Sequence, residues 1–167
     1  MATLSIDQQD TNNLAVTDTD QRTLVLSRMI NAPRELVFEA WSHPKHLVRW
    51  WGPNDFTLPY CEQDFRVGGK YRFCMRAPDG SDHWVRGEYT HINAPSRLVF
   101  TWLREDGEGD IWCDTVVEIT FEQRGTTMLL TLNQTTFASV VHCEEHALGW
   151  NETLDRLIAF TVAQENN

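Results

Sequence analysis

The amino-acid sequence predicts an α+β domain in which one long helix lies against an antiparallel sheet. Only residues 139–162 show a helical period that is long enough for a substantial helix, with apolar residues along one side. Nearly all of residues 22–134 shows the pattern of short strands joined by turns. A single helix with a broad apolar face must bury that face against the sheet. We therefore expect about seven strands, two short helices after the first strand, and the long helix last.

Composition and charge narrow the range of functions. The 167 residues are 41% hydrophobic and 23% charged, as in an ordinary globular domain, and no apolar run is long enough for a membrane helix. The net charge of −10 argues against nucleic acid and anionic membranes as main partners. Residues 1–20 are polar, carry four aspartates and contain neither Lys nor Arg. They predict an N-terminal tail ahead of one domain that covers residues 21–164.

The four cysteines predict thiols rather than disulfides or a metal site. They are far apart in the sequence and form no C-x-x-C pair. The first ten residues also lack a basic segment followed by an apolar stretch, which a secretory signal would have. We therefore expect a cytoplasmic protein with reduced, buried thiols. The cysteines are Cys61, Cys74, Cys113 and Cys143.

The N-terminal part of the domain predicts one strand followed by two short helices. Residues 23–30 are rich in residues that favour strands. Asn31 can cap a first helix at residues 34–41, because its side chain can accept a hydrogen bond from the first turn. Ser42 can cap a second helix at residues 45–50 in the same way.

The strands that follow alternate apolar and polar residues, as half-buried strands do. Tyr71, Phe73 and Met75 share one face of their strand, while charged residues occupy the other. Because each connection is short, we expect these strands to pair with their neighbours in sequence order. The predicted strands are residues 56–65, 70–76, 83–92, 97–103, 111–121 and 126–133.

The long helix carries the broadest apolar face of the chain. Ser139 can cap its start. Gly149 lies inside it, which costs roughly 1 kcal/mol relative to alanine. Either a neighbour packs against the bare backbone there or the helix bends. The residues expected on the buried face are Val140, Cys143, Ala147, Trp150, Leu154, Leu157, Ile158 and Thr161.

Five stretches resemble, in order and spacing, the activator of heat-shock-protein-90 ATPase homologue family. Together they cover roughly residues 22–162. The resemblance implies membership of the START-like superfamily, also called SRPBCC or birch-pollen-allergen-like. The stretches are VFEAWSHPKHLVRWWGP (37–53), DFRVGG (64–69), APDG (77–80), GEYTHINAPSRLVFTW (87–102) and HALGWNETLDRL (146–157).

The resemblance implies the helix-grip fold, a curved antiparallel sheet around a long C-terminal helix with a deep apolar cavity between them. Eukaryotic co-chaperones of the family use two different domains to engage the chaperone. This chain has room only for a stand-alone domain like the second of them.

Aromatic residues from separate predicted elements are expected to converge between the helix and the sheet. Core packing explains any one of them. Together with the cavity that the resemblance implies, they predict a mostly apolar ligand pocket with a few polar groups. The predicted pocket residues are Trp50, Trp51, Phe73, Met75, Tyr89, Phe100, Trp102, His146, Trp150 and Leu154.

The polar residues give weaker indications of chemistry. His142 and His146 fit the H-x-x-E-H pattern of a zinc-peptidase class and lie within about 40° on a helix. Only three residues of that pattern are fixed, so we predict no metal and no cofactor, and interpret His146 as a polar group at the pocket mouth or a packing residue.

Asp64 and Arg66 are expected to form an exposed ion pair, the alternative being a cavity acid or base as in the related polyketide cyclases. His83 looks like a loop or surface residue.

Three function classes remain open. The first is a non-enzymatic START-like domain that binds a small apolar or amphipathic ligand between sheet and helix. The second is a co-chaperone or stress-response module that acts on a heat-shock chaperone. The third is a cyclase- or hydrolase-like enzyme that uses Asp, Glu or His in the cavity. The sequence does not predict the oligomeric state.

Overall fold

The computed structural model describes residues 16–17 and 22–166. Most of the predicted tail, residues 1–20, therefore lies outside the described residues. The strands are β1 (Val16–Thr17), β2 (Leu24–Ile30), β3 (Thr57–Gln63), β4 (Lys70–Arg76), β5 (Asp82–Asn93), β6 (Arg97–Glu105), β7 (Ile111–Arg124) and β8 (Thr127–Thr135). The helices are α1 (Arg34–Glu39), α2 (Pro44–Trp50) and α3 (Val140–Glu165).

The described strands form one antiparallel sheet in the order β1-β2-β8-β7-β6-β5-β4-β3. Strands β3 to β8 pair with their sequence neighbours, as the short connections predict. Strand β2 pairs with β8, where Leu26 lies opposite Leu132. The seven predicted strands are all present, and the two-residue β1 pairs with β2 as an eighth. The sheet curves around α3, which confirms the helix-grip fold.

The core lies between the sheet and one side of α3. The alternating strand faces predicted to point inward are buried, for example Leu98, Phe100 and Trp102 of β6. Burial of apolar area at about 25 cal/mol per Å² makes this interface the main source of stability. The side chains that α3 buries are Cys143, His146, Trp150, Thr153, Leu154, Leu157 and Thr161.

The predicted cap of the long helix is confirmed. The Ser139 hydroxyl accepts a hydrogen bond of 3.1 Å from the backbone N–H of His142. This bond satisfies one of the N–H groups that the first turn cannot pair. The helix starts where the sequence predicts and continues to Glu165, three residues past the predicted end.

The predicted caps of the two short helices are wrong. Pro33, in an extended conformation, is the N-terminal cap of α1, so Asn31 lies two residues too early to reach the first turn. His43 occupies the cap position of α2 without a side-chain hydrogen bond. Ser42 instead donates a 2.7 Å hydrogen bond to the carbonyl of Glu39, at the end of α1.

Strand β6 extends two residues further than the sequence predicts. Arg104 pairs with Cys113 and Glu105 with Ile111 of β7, so both belong to the sheet rather than to the loop that follows it. Glu105 is buried because Arg72 of β4 holds its carboxylate with two hydrogen bonds of 3.1 Å. Glu105 therefore lies with Arg72 on the face of the sheet that carries the charged residues of β4, whereas Arg104 lies on the face toward α3.

The predicted thiols are confirmed within the described residues, where the four cysteines form no disulfide. Three of them are buried, and Cys61 is half-buried. Burial raises the pKa of the Cys61 thiol to about 11, which keeps it protonated at neutral pH. None of the helices in the described part of the chain is long and apolar enough to cross a membrane.

Candidate functional site

A cleft of about 290 Å³ opens between α3, the segment after α2, and strands β4 to β7. The segment after α2 forms one rim, and the first half of α3 forms the wall opposite the sheet. The lining residues are Trp51, Gly52, Pro53, Phe56, Met75, His83, Trp102, Arg104, Trp112, Glu145, His146, Gly149, Trp150 and Thr153.

The structure brings half of the predicted pocket residues to this cleft. Trp51, Met75, Trp102, His146 and Trp150 line it. The other five are core residues that the cleft does not reach. These are Trp50, Phe73, Tyr89, Phe100 and Leu154.

Aromatic packing explains why the deep interior is closed. Trp41 lies in the middle of the core, with ring centroids 4.7 Å from Trp50, 5.7 Å from Trp51 and 6.3 Å from Trp150. The space left beside it, next to Phe73 and other aromatic rings, is only about 10 Å³, at most enough for one water molecule. The deep cavity that the family resemblance implies is therefore largely filled, and the open volume lies toward one end of α3.

A buried hydrogen-bond chain fixes the floor of the cleft. The indole N–H of Trp150 donates to Gln134 at 2.8 Å, and the amide of Gln134 donates to Thr115 at 2.8 Å. Gln134 is fully buried, so these two bonds replace the hydrogen bonds that its amide group would form with water. The ring of Trp150 is thus held in one orientation against Trp102, 5.2 Å away.

His146 is a fixed neutral residue in this cleft. Its Nδ1 lies 2.7 Å from the carbonyl oxygen of His142, so Nδ1 carries the proton and donates. Its Nε2 accepts a 3.2 Å hydrogen bond from the indole N–H of Trp102. Burial, opposed in part by the bond to His142 and assisted by the nearby charge of Arg104, lowers the pKa of His146 to about 4.

The hydrogen bonds of His146 favour a role in packing and hydrogen bonding over a role as a metal ligand. Both ring nitrogens are engaged, so zinc binding would break at least one of these bonds. His142 packs its ring on Trp112, 4.8 Å away. Among the described residues no group of three or more His, Cys, Asp and Glu side chains is arranged to hold a metal ion. His146 is a buried polar group of the cleft wall that packs on Phe137, at 4.9 Å between ring centroids.

One arginine of α3 holds the rim segment in place. The Nη1 of Arg156 lies within hydrogen-bond distance of four backbone carbonyls, at 3.3 Å from Trp51, 3.0 Å from Gly52, 2.9 Å from Pro53 and 3.2 Å from Phe56. Gly52 has a φ of +103°, which a residue with a side chain rarely adopts, and this turns the carbonyls toward α3. The backbone N–H of Asn54 adds a 2.9 Å bond to Glu152.

Replacing Arg156 with methionine is expected to destabilise the domain by about 2 kcal/mol, because hydrogen bonds to a charged group contribute about 1.5–3 kcal/mol. The rim would also lose its position relative to α3, so ligand binding in the cleft should weaken. Urea unfolding followed by fluorescence measures the first effect. Arg66→Met is the control, since Arg66 forms only an exposed ion pair of 2.8 Å with Asp64, as the sequence predicts. Equal stability losses in the two variants would contradict the role of Arg156.

Gly149 lines the cleft without a close neighbour at its backbone. A Cβ added there would meet Pro53 at 3.6 Å, an ordinary contact. Gly149→Ala is therefore expected to stabilise the domain by up to about 1 kcal/mol through helix propensity. Its methyl group would also reduce the open volume of the cleft. Thermal unfolding of the two proteins checks the first effect, and a lower melting temperature for the alanine variant would contradict it.

Sequence reasoning missed the polar side of the cleft. Arg104, at the end of β6, donates a 3.2 Å hydrogen bond to Nδ1 of His83 and lies with its guanidinium 5.1 Å from the ring centroid of Trp112. His83 is thus a partly buried strand residue rather than a surface residue, and burial and the charge of Arg104 lower its pKa. Arg104 continues the inward alternation of Phe100 and Trp102, which is the signal that would have found it.

Comparison with known proteins gives a consistent family match. The family model described as "Activator of Hsp90 ATPase homolog 1-like protein" matches residues 31–161. A search of curated proteins gives no match.

Solved structures from several bacteria have the same fold. A protein of Chromobacterium violaceum is 28% identical, with a TM-score of 0.77 over 84% of this chain and 96% of that one. A Silicibacter pomeroyi protein that carries the family's name is 26% identical, with a TM-score of 0.77 over 85% and 99% of the two chains. A solution structure from Arthrobacter aurescens, 24% identical, has a TM-score of 0.79 over 92% and 93%.

Proposed function

The chain belongs to the Activator of Hsp90 ATPase homolog 1-like family, and from that premise we propose that it binds a small apolar or amphipathic ligand in the cleft beside α3. Family membership supports a ligand-binding or activator-type domain. The cleft supports a ligand-binding domain rather than an activator-type domain.

The observation that carries the proposal is the aromatic lining of an open cleft. Trp51 and Trp102 lie 6.1 Å apart between ring centroids, and Trp150 lies 5.7 Å from the first and 5.2 Å from the second. Phe56 and Met75 extend this apolar surface. A volume of about 290 Å³ is near the lower end of small-molecule sites, which span roughly 300–1,000 Å³. The ligand is therefore a small one, of one or two rings or a short chain.

Tryptophan fluorescence tests the proposal directly, since four tryptophans line the cleft. Titration with fatty acids, sterols and aromatic polyketide-like compounds should change the emission, with the smaller compounds binding most tightly. Gly149→Met places a flexible side chain at the cleft and should weaken binding. Leu148→Met, at the neighbouring position, which is 71% exposed, is the matched control. No response to any compound, or an equal response in both variants, would overturn the proposal.

An enzyme receives less support from the same geometry. The histidines of the lining are already engaged, His146 by Trp102 and His142, and His83 by Arg104 at Nδ1 and by Ser81 at Nε2. A general base needs a free nitrogen within reach of its proton. The one carboxylate among the lining residues, Glu145, is exposed to solvent.

A second candidate is interaction with a heat-shock chaperone, which the family description names as the target of activation. The outer side of α3 exposes Val141 and Leu148, at 59% and 71%, and their spacing of seven residues places them on one face. This candidate predicts that the chain binds a bacterial-type chaperone and changes its ATPase rate. Leu148→Glu should abolish the effect while leaving the cleft intact. No binding at high micromolar concentration would exclude it.

A further inference from the structure

Arg104 is a cation in the cleft wall with little to compensate its charge. The side chain is half-buried, and its Nε is shielded from solvent without a hydrogen-bond partner. Within residues 16–17 and 22–166 its one side-chain hydrogen bond is the 3.2 Å bond to His83, a neutral acceptor, and its guanidinium lies 5.1 Å from the ring centroid of Trp112. Burial lowers the pKa of Arg104, but a guanidinium remains charged at neutral pH.

Other arginines of the same sheet have the ion-pair partner that Arg104 lacks. Arg72 is paired with Glu105, Arg76 with Asp82, and Arg97 with Glu118, at 3.1, 2.8 and 2.7 Å. In the described part of the chain no carboxylate lies within ion-pair distance of Arg104. A partly desolvated charge without an ionic partner is unfavourable, and an incoming anion would recover that free energy.

The charges around Arg104 are consistent with an anion binding beside it. Glu145 of α3 also lines the cleft, and its charge raises the pKa of Arg104, but it is exposed and lies beyond ion-pair distance. His83 of β5 and His146 of α3 are both held toward their neutral forms, in part by the positive charge of Arg104. Arg104 is thus the one Lys or Arg side chain among the residues that line the cleft, although the chain as a whole carries a net charge of −10.

We propose that the ligand of the cleft is a small carboxylate with a flat apolar body, whose carboxylate pairs with Arg104 while the body lies against Trp51, Trp102 and Trp150. This inference rests on the proposed function and adds the charge of the ligand to it. A guanidinium binds a carboxylate with charge-assisted hydrogen bonds, and indole rings accept a flat body in stacked or edge-on contact. The cleft thereby selects anions over neutral compounds of the same shape.

Calorimetric titration with 2-naphthoate and 2-naphthamide tests the inference, since the two probes share the apolar body and differ in charge. The wild-type protein should bind the carboxylate about tenfold more tightly than the amide, the ratio expected for one charge-assisted pair. Arg104→Gln should reduce that ratio to about one, with amide binding changed less than about twofold. Arg97→Gln, which alters an ion pair on the same strand, should leave the ratio unchanged. Glu145→Gln should strengthen binding of the carboxylate alone.

The outcomes separate this inference from the proposed function. If the wild-type protein binds the two probes equally, the inference is wrong and the proposed function still stands. The inference is also wrong if Arg104→Gln weakens the binding of both probes alike. It is wrong as well if neither probe binds while members of the apolar panel do. If neither the probes nor the panel bind, both proposals fail. A carboxylate preference that disappears in Arg104→Gln and survives in Arg97→Gln supports both.

Discussion

Gly87→Ala is expected to destabilise the domain by at least about 3 kcal/mol, at the upper end of what overpacking a tight site costs. A Cβ at this position of β5 would lie 2.0 Å from the carbonyl oxygen of Thr101 on β6 and 2.7 Å from the ring of Tyr71 on β4. The Thr101 carbonyl belongs to the backbone of the sheet, so it cannot move without disturbing strand pairing.

The surroundings of Gly87 show why a glycine is needed there. Tyr71 lies opposite Gly87 in the β4–β5 pair, and its ring crosses the bare backbone so that its hydroxyl can donate a 2.6 Å hydrogen bond to Thr101. Any side chain at Gly87 would displace the ring and so break this hydrogen bond. The free-energy costs of the lost packing and of the lost hydrogen bond therefore add in this one substitution.

Gly107→Ala is the matched control. Its Cβ would meet no atom within 4 Å, and its backbone does not have a positive φ, so the substitution should change stability by less than about 0.5 kcal/mol. Urea unfolding of the three proteins measures both effects. A Gly87→Ala protein with wild-type stability would mean that the sheet can open at this point, contrary to the close packing described.

The fold could be predicted because its signals are periodic and local. Alternation along residues such as Tyr71, Phe73 and Met75 identifies the inward face of β4, and the apolar stripe of α3 identifies the one helix that can cover a sheet. The cap at Ser139 follows from residue type alone. The caps of the short helices could not be predicted in this way, because Pro33 and His43, whose side chains form no cap hydrogen bond, occupy the cap positions in place of Asn31 and Ser42.

The candidate site could be predicted only in part, because a cavity is what packing leaves unfilled. Trp41 fills the centre of the core, and nothing in its sequence position shows which way an indole will turn. Arg104 lies one residue past the predicted end of β6, although it continues the inward alternation of Trp102. His83 enters the cleft because it pairs with Met75 across β4 and β5, a register that one sequence does not reveal.

Acid is expected to destabilise the protein through His146 between about pH 6.5 and pH 4. The folded state holds this imidazole neutral, with a pKa lowered to about 4, whereas in the unfolded chain it titrates near 6.5. Below pH 6.5 the unfolded state therefore binds more protons, so the free energy of unfolding falls as pH falls. The full difference corresponds to about 3 kcal/mol, and about 2 kcal/mol of it is lost by pH 5.

The non-titrating variant His146→Gln separates this effect from the titration of other groups. At pH 7.5 it should be less stable than the wild-type protein, since it loses the bond to His142. The difference between the two proteins should then shrink by about 2 kcal/mol on going to pH 5, because only the wild-type protein carries the histidine. A difference that stays constant over this range would show that the imidazole accepts a proton in the folded state. That would require the bond from Trp102 to Nε2 to break, and the cleft wall would then be a titrating surface instead of a fixed neutral one.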